Sequence, residues 1–569
     1  MELRNKTLEF LANHLRLETA EMADILEIPP RPELGDLSMP CFKFAKIMRK
    51  APQAIAKEWA ALLDGQADFL ERVTAEGPYL NFYYRRSYFA ENIFARAEAQ
   101  PDKLISFEPI EPEGTILVEY SSPNIAKPFH VGHGFSTCLG DALAKMFSYR
   151  GYDVKRLNHF GDYGTQFGRL IYAWQHWGDE KALAEQPIKE LTRVYVKFHE
   201  VAEEDESLYD AARKHFSRLE QGKEPELSLW EHFREMSLVE FQRIYERLDI
   251  SFDSLNGEAF YSDMIPEVLD MLKQKGLLEE SEGAEVVDLS EFDLNPCIMV
   301  KSDGSSIYAT RDLAAVIYRD RTWDFYRNMY VVGREQAYHF KQIFAVLKRM
   351  GHPKADQCYH VAFGRISSGT EEFSTRHGKI ILLEDFLDAT YKKVLEIMSE
   401  GNFDMPESER EATAEAIAVA SVKFFYLKSG REKDISFTWE DILDFNGDTA
   451  PYILYTYARA RSILRKASDL DFSQAKVELL VSDAEFNLLK DLADLEPALE
   501  EALKLYEPSV LVRQILKLVK NFNRFYRESP IMKEEDADLR LARLALCELY
   551  TKELKLALSL LGIQVVERM

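Results

Sequence analysis

Two kinds of order along the sequence predict a multidomain protein, α/β in its middle and all-α toward its end. Between about residues 115 and 335, short β-rich apolar runs alternate with helical patterns, which is how a parallel sheet with helices on its faces reads. From about Pro406 onward nearly every segment carries helical periodicity with few glycines, the pattern of a helical bundle. A chain of 569 residues leaves room for about three to four such domains.

Taken in order, the first hundred residues read as helices and strands around a small core of their own. Ala99-Gln100-Pro101-Asp102 and then Glu108-Pro109-Ile110-Glu111-Pro112-Glu113-Gly114 follow. X-Pro steps and a glycine in an acidic stretch make a linker, so a first domain is expected at 1–108. Thr115–Tyr120 has the length and composition of a strand, Ser122-Pro123-Asn124 is a turn, and a helical pattern runs from about His133. Val154–Leu157 and Met329–Gly333 read as further strands of one sheet. The charged helical stretch from roughly 175 to 250, which contains HEVAEEDESLYDAARKHFSRLE, reads as an insertion on that sheet. The α/β domain is thus placed at 109–390 and the helical domain at 391–569. No internal repeat or low-complexity segment interrupts them.

Composition narrows the function. Hydrophobic residues make up 46 % and charged residues 29 %, a globular balance. Lys+Arg number 71 against 96 Asp+Glu, a net charge of −25, which argues against coating nucleic acid or anionic membrane with the whole surface. Local basic stripes on an acidic body stay open, since repulsion elsewhere helps select one docking pose. Cys41, Cys138, Cys297, Cys358 and Cys547 are odd in number and form no CxxC, so neither a disulfide framework nor a cysteine-rich zinc site is expected. The N-terminal MELRNKTLEFLANHLRLETA is amphipathic and carries acids, unlike a signal or transit peptide, and no run of 18 apolar residues occurs. A cytoplasmic protein with no membrane partner is expected.

The chemistry concentrates in Phe129-His130-Val131-Gly132-His133, between a strand and a helix start. Such a turn binds anions where free backbone N–H groups point outward. His130 and His133 could hydrogen-bond phosphate oxygens during phosphoryl transfer, and Gly132, lacking Cβ, could let an adenine approach the backbone. A pair of capping or core histidines, or half of a metal site at i, i+3 spacing, is the plainer alternative. No HExxH and no third ligand accompany the pair, so no metal site is expected in the protein. GxxxxGK[ST] is absent, and GxGxxG breaks at Thr137, so a nucleotide here would have to use the histidine turn.

The stretch VEYSSPNIAKPFHVGH…GDALAKMFSYRGYDVKRLNHFGDYGTQFG, Val118 to Gly168, resembles the signature region of arginyl-tRNA synthetases, class I enzymes whose HIGH motif matches HVGH. The resemblance continues at Tyr308-Ala309-Thr310-Arg311-Asp312, at Gly333-Arg334-Glu335-Gln336-Ala337-Tyr338-His339 and at GDTAPYILYTYARARSIL, from Gly447 to Leu464. The sequence also ends in Glu567-Arg568-Met569, as many in that family do. The resemblance covers essentially the whole chain in the family's order. It implies a Rossmann-like (HUP) catalytic domain with helical insertions, a small α+β N-terminal domain contacting the tRNA D-loop, and a DALR-type helical anticodon-binding domain. It further implies ATP-dependent activation of L-arginine, with Mg²⁺ on the ATP phosphates, and transfer to tRNA(Arg) by a monomer whose activation step awaits bound tRNA.

By the same resemblance, Glu119, Asn124, Tyr308, Asp312 and Gln336 bind the amino acid. Two acids, two amides and a phenol suit a guanidinium, an ammonium and an aliphatic stem. A site so built would reject lysine and ornithine, which would leave buried carboxylate oxygens unpaired. The second class I element, the lysine loop KMSKS, departs from pattern: Glu372-Phe373-Ser374-Thr375-Arg376-His377-Gly378-Lys379 has Glu and Thr where the two lysines would stand. Arginyl enzymes often lack that loop, and a lysine just before HIGH is thought to compensate. Lys127 occupies that place. The ATP site is therefore expected from Lys127, His130, Gly132 and His133 with Ser374 and Arg376, and Lys379 could assist. Gly134-Phe135 is a second departure, since the family usually has Leu-Arg there.

Charge and aromatics point to the tRNA. Cys41–Lys57 holds Lys43, Lys46, Arg49, Lys50 and Lys57 with no acid. Leu511–Arg527 holds Arg513, Lys517, Lys520, Arg524 and Arg527, again with no acid, at spacings that put them on one helical face. A solvated basic face on a bundle helix would look the same. Asn521-Phe522-Asn523-Arg524-Phe525-Tyr526 interleaves aromatics, each stacked base being worth about 1–3 kcal/mol. The resemblance selects Tyr452, Tyr455, Tyr526 and Met569 as base contacts, and Asn81 in Gly77-Pro78-Tyr79-Leu80-Asn81 as a D-loop contact.

Overall fold

The computed structural model describes residues 2–302, 308–368, 381–400 and 405–569. Its centre is a four-stranded parallel sheet in the spatial order Cys358–Phe363, Arg327–Gly333, Thr115–Glu119, Asp153–Leu157. Ile116, Leu117 and Val118 are all buried, as a strand covered on both faces requires. Helix Val131–Tyr149 packs against this central strand and is buried along nearly its whole length. It comes that close because Gly140 lies against Tyr120, where a Cβ would sit 2.2 Å from the ring. The α/β order read from the sequence is the order observed. The strand Cys358–Phe363 lies outside that reading because Tyr359 and His360 interrupt its apolar run, and His360 bonds the Val332 carbonyl at 2.9 Å.

After Asp153–Leu157 the chain leaves the sheet for helices Thr165–Trp177, Pro187–Ala202, Ser207–Glu220 and Glu226–Arg247. An antiparallel sheet, Glu279–Ser281, Ala284–Val287 and Cys297–Val300, precedes helix Tyr308–Trp323 and the return to Arg327–Gly333. The N-terminal region is a three-stranded antiparallel sheet, Leu37–Pro40, Tyr79–Tyr84 and Leu70–Glu76, covered by helix Pro52–Leu63. Its apolar core is not separate: it runs through Phe89, 5.3 Å from Phe486, into the C-terminal helices.

From Glu407 the chain is helical, apart from strand Ile435–Phe437, which pairs in parallel with Ile366–Ser368. Position 390 lies within helix Leu383–Glu400, which packs on Glu407–Leu427. Helix Ser509–Glu528 shows why the bundle forms. Leu511, Val512, Ile515, Leu516, Leu518, Val519, Phe522 and Phe525 are buried, while the cations between them face outward. Among the described residues all five cysteines are buried and free, and no helix is long and apolar enough to cross a membrane.

Candidate active site

The site grows from the C-terminal ends of the parallel strands, where ligands meet open α/β sheets. Beyond Glu119, Ser121, Ser122 and Ala126 take left-handed backbone (φ +71, +45 and +60°), each costing about 1 kcal/mol or more. Three side chains from separate segments hold them. Ser121 N donates to Ser136 Oγ at 3.0 Å, Ser122 N to Asn158 Oδ1 at 3.1 Å and Ala126 N to Ser237 Oγ at 3.1 Å. Asn124 pairs with Gly161, where a Cβ would lie 2.3 Å from its amide oxygen, so that glycine gives Asn124 its place.

The histidine turn is a reciprocal cap. His130 is the N-cap of helix Val131–Tyr149: its Nδ1 accepts from Gly132 N at 3.1 Å, and His133 Nδ1 accepts from His130 N at 3.2 Å. The two rings stack with centroids 3.7 Å apart. Since each Nδ1 faces a backbone N–H, each neutral ring must carry its proton on Nε2. Burial lowers both pKa values, that of His133 well below 6.5 with His130 and Lys127 adding to the effect. The pair is therefore neutral at pH 7 and presents two Nε2–H donors.

One expectation about this turn needs correcting. Its N–H groups do not point free: Val131 N donates to Ile381 O at 3.1 Å, Gly132 N to His130 Nδ1, and His133 N and Gly134 N to His130 O. A phosphate must be met by side chains instead. At Gly132 a Cβ would lie 2.9 Å from His130 Cε1. The glycine makes room for the capping ring.

Lys127 is half-buried with Nζ 5.9 Å from the Tyr195 ring centre; burial, then Arg169, lowers its pKa. Arg169 was not singled out from sequence, and it adds a second cation beside the turn.

Tyr308 and Asp312, four apart on helix Tyr308–Trp323, share a face. Asp312 Oδ2 lies 2.5 Å from His339 Nε2. Burial alone would raise the Asp312 pKa, but that bond and the charges of His339, His159 and Arg319 hold it low. His339 is raised, its carboxylate partner outweighing burial. Glu119 is 5 % exposed and accepts from buried Arg319 Nη2 at 2.5 Å, so its charge is already balanced by a protein guanidinium. Tyr308 is 57 % exposed, and Gln336 is exposed in the turn Arg334–Gln336 after strand Arg327–Gly333. A further acid joins them. Glu258 lies 3.3 Å from Arg311 Nε, and burial pushes its pKa up to about 8, with Arg311 opposing and Asp312 and Asp162 adding. Only its position after Gly257, at the start of the 3-10 helix Glu258–Met264, marks it in the sequence.

A second constellation lies among the C-terminal helices. Tyr455 and Tyr526, both partly exposed, flank the Arg459 guanidinium at 4.8 and 5.4 Å. Arg459 Nη1 donates to Asn523 Oδ1 at 2.9 Å, and Asn523 Nδ2 donates to Tyr452 Oη at 3.0 Å. Met569 is half-buried against the core. The adjacent basic stripe is partly neutralised, by two acids from other segments and one on its own helix. Lys517 pairs with Asp491 at 2.8 Å, Lys520 with Asp448 at 2.7 Å and Arg524 with Glu528 at 3.0 Å, while Arg513 donates to Ser509 Oγ at 3.1 Å. Asn81 is 2 % exposed and accepts from Ser38 Oγ at 2.6 Å. It braces the hairpin from within, while Gly77, Pro78 and Tyr79 stand at its more open tip.

With this geometry in place, comparison with known proteins is decisive. Residues 105–439 match the family described as tRNA synthetases class I (R), catalytic domain; residues 3–84 match the arginyl tRNA synthetase N terminal domain and residues 453–569 the DALR anticodon binding domain. Arginine–tRNA ligase of Clostridium beijerinckii is 47 % identical over 574 residues, covering all of both chains. The chain belongs to the arginyl-tRNA synthetase family. Arginine–tRNA ligase of Clostridium botulinum is 46 % identical, also over the whole of both chains. Thermus thermophilus arginyl-tRNA synthetase superposes with a TM-score of 0.81 at 26 % identity, covering all of both chains. As in that family, the architecture joins a Rossmann-like catalytic sheet, an α+β N-terminal region and a helical C-terminal region. Ser374, Arg376 and Lys379, in the stretch matching the lysine loop, lie outside the described residues.

Proposed function

We propose that the chain is an arginine–tRNA ligase: ATP activates L-arginine to arginyl-adenylate with release of diphosphate, and the arginyl group passes to the 3′-terminal adenosine of tRNA(Arg). The observation that carries this reading is the full-length identity of 47 % to an arginine–tRNA ligase, with three family modules in order. The arginine carboxylate attacks the α-phosphorus, forming the acyl–phosphate bond as the α–β phosphoanhydride bond breaks. The terminal 2′-hydroxyl then attacks the adenylate carbonyl and AMP leaves. No covalent enzyme intermediate is required.

Within this scheme catalysis is positioning plus electrostatic stabilisation. His130 and His133 donate from Nε2 to phosphate oxygens, and Lys127 supplies the charge that the lysine loop lacks, with Ser374 and Arg376 completing the nucleotide site. Asp312 takes the guanidinium, with Tyr308 and Glu258 beside it. Glu119, already balanced by Arg319, accepts hydrogen bonds there, and Asn124 and Gln336 orient the ammonium end. Mg²⁺ belongs with the ATP phosphates; among the described residues no three His, Cys, Asp or Glu side chains gather to hold it. Tyr452, Tyr455, Tyr526 and Met569, helped by Arg459 and the stripe of Arg513, Lys517, Lys520 and Arg524, take the anticodon loop, and the hairpin braced by Asn81 takes the D-loop. A single chain in the cytoplasm suffices for the reaction, and sedimentation at assay concentration would test that stoichiometry.

ATP–pyrophosphate exchange with each of the twenty amino acids, with and without tRNA, tests the reading. Exchange with arginine alone, dependent on tRNA, is expected. Exchange without tRNA would remove the gate but keep the enzyme, and no exchange at all would leave an RNA-binding scaffold. Lys127→Ala is expected to lower the exchange kcat about a hundredfold, the scale of losing one transition-state partner, with tRNA affinity nearly unchanged. Equal losses in both quantities would reassign Lys127 to tRNA binding.

A further inference from the structure

Gly134-Phe135, the departure after HVGH, is filled from outside the catalytic sheet. Tyr426, fully buried on helix Glu407–Leu427, donates its hydroxyl to the Val131 carbonyl at 2.9 Å. Its ring stacks on Phe135, with centroids 5.6 Å apart and planes 19° apart. A Cβ at 134 would lie 2.7 Å from the Tyr426 hydroxyl, so the glycine is what admits it. The turn's other backbone anchors are Ile381 O, which accepts from Val131 N, and Leu383 N, which donates to Phe129 O at 2.9 Å.

One turn earlier on the same helix, buried Lys423 Nζ donates to the Gly562 carbonyl at 2.7 Å. Gly562 is left-handed (φ +68°), and a Cβ there would lie 2.8 Å from Asp141 Oδ2 and 3.2 Å from Lys423 Nζ. Asp141 belongs to the histidine helix and holds Lys145 at 2.5 Å. Beyond Gly562 the tail is fastened to helix Ala450–Lys466: Arg461 Nε pairs with Glu567 at 2.8 Å, and Arg465 Nη1 donates to the Glu567 carbonyl at 2.9 Å. That helix also carries Tyr452, Tyr455 and Arg459. A single helix therefore touches both the histidine turn and the turn from which the C-terminal tail departs.

We propose that Tyr426 is a positioning residue for the histidine turn, and that Lys423 couples that position to the seating of the C-terminal tail beside the aromatic cluster. The inference rests on the reading of the chain as an arginine–tRNA ligase. The hydroxyl fixes the first carbonyl of a helix whose first turn carries both Nε2–H donors, so losing it loosens donor geometry while ring packing keeps the fold. By linkage, an interaction that seats the tail steadies the turn, and a steadied turn favours the seated tail.

The test uses the full-length chain with arginine, ATP and tRNA. Tyr426→Phe is expected to lower the exchange kcat about tenfold, which is about 1.4 kcal/mol, with both substrate KM values, tRNA affinity and thermal midpoint nearly unchanged. Gly134→Ala, which crowds the hydroxyl without removing a polar atom, should show the same split. Lys423→Met should also lose kcat, and the double variant with Tyr426→Phe should be no worse than the poorer single one, because both act through one contact path. A Tyr426→Phe kcat within twofold of wild type, or a loss carried by KM or tRNA affinity, would overturn the positioning role. Losses that multiply in the double variant would overturn the coupling. Wild-type exchange with arginine reports on the function, whereas the variant-to-wild-type ratio reports on the positioning.

Discussion

Asp312→Asn should raise the KM for arginine by about a hundred- to a thousandfold, with the ATP site and thermal midpoint little changed. Removing one member of a desolvated charge pair costs about 2–5 kcal/mol, and every 1.4 kcal/mol is about tenfold in affinity. The loss falls on Asp312 and not on Glu119, because Glu119 already faces the buried Arg319 guanidinium at 2.5 Å. A second guanidinium there would meet a carboxylate whose charge is spent. Among the described residues Asp312 has only His339 at comparable distance, and that partner can give up its proton. An arginine KM within threefold of wild type would take Asp312 out of the pocket.

The same contact sets a pH dependence. His339 titrates above its ordinary 6.5 because Asp312 outweighs its burial. Below that raised pKa the imidazolium competes with the substrate for Asp312; above it the ring is neutral and the carboxylate is available. Glu258 works in the same direction, being protonated below about 8 and a carboxylate above it. Arginine KM should therefore fall as pH rises through the His339 transition toward 8 and beyond. In Asp312→Asn the His339 part of that fall disappears. A flat or rising KM across the range, measured with ATP saturating, would show that neither group faces the substrate.

How much of this was legible beforehand follows from where the information sits. Thr115–Glu119 and the helices of the C-terminal region are local patterns: an apolar run, or apolar residues three and four apart, says which face is buried before any partner is known. HVGH and the residues proposed to bind arginine come from resemblance, which fixes residue type and order but not pairing. Pairing is what changed the reading. Glu119 and Arg319 are 200 residues apart, Lys517 and Asp491 come from different helices, and Ser38 and Asn81 from different strands. No window on the sequence contains both members. Glu258 escaped for the same reason: an acid opening a short 3-10 helix carries no periodicity, and its meaning comes from Arg311 and Asp312 on another element. Along the chain Gly134-Phe135 is only a departure from the family's usual pair; in three dimensions Tyr426, 292 positions after Gly134, occupies the space.

Gly132→Ala should cost about a hundred- to a thousandfold in adenylate formation, the scale of losing a preorganised donor at a developing charge, while stability barely moves. A methyl at 132 would sit 2.9 Å from His130 Cε1 and 3.0 Å from its Nδ1, so the ring must shift. That shift breaks the bond to Gly132 N and disturbs the 3.7 Å stack on His133, whose own Nδ1 keeps its bond to the His130 backbone N–H. One carbon thus displaces the His130 Nε2–H donor and disturbs the stacked ring that steadies the second. The stability terms nearly cancel: a lost N-cap costs about 1 kcal/mol, and alanine in place of a helical glycine returns about as much. That cancellation makes the prediction sharp. A general weakening of the fold would lower the melting temperature together with activity, whereas a displaced cap lowers activity alone. Single-turnover adenylate formation beside a thermal melt separates the two. Activity within tenfold of wild type would mean that the rings tolerate the methyl, and that the geometry of this turn is not what sets the rate.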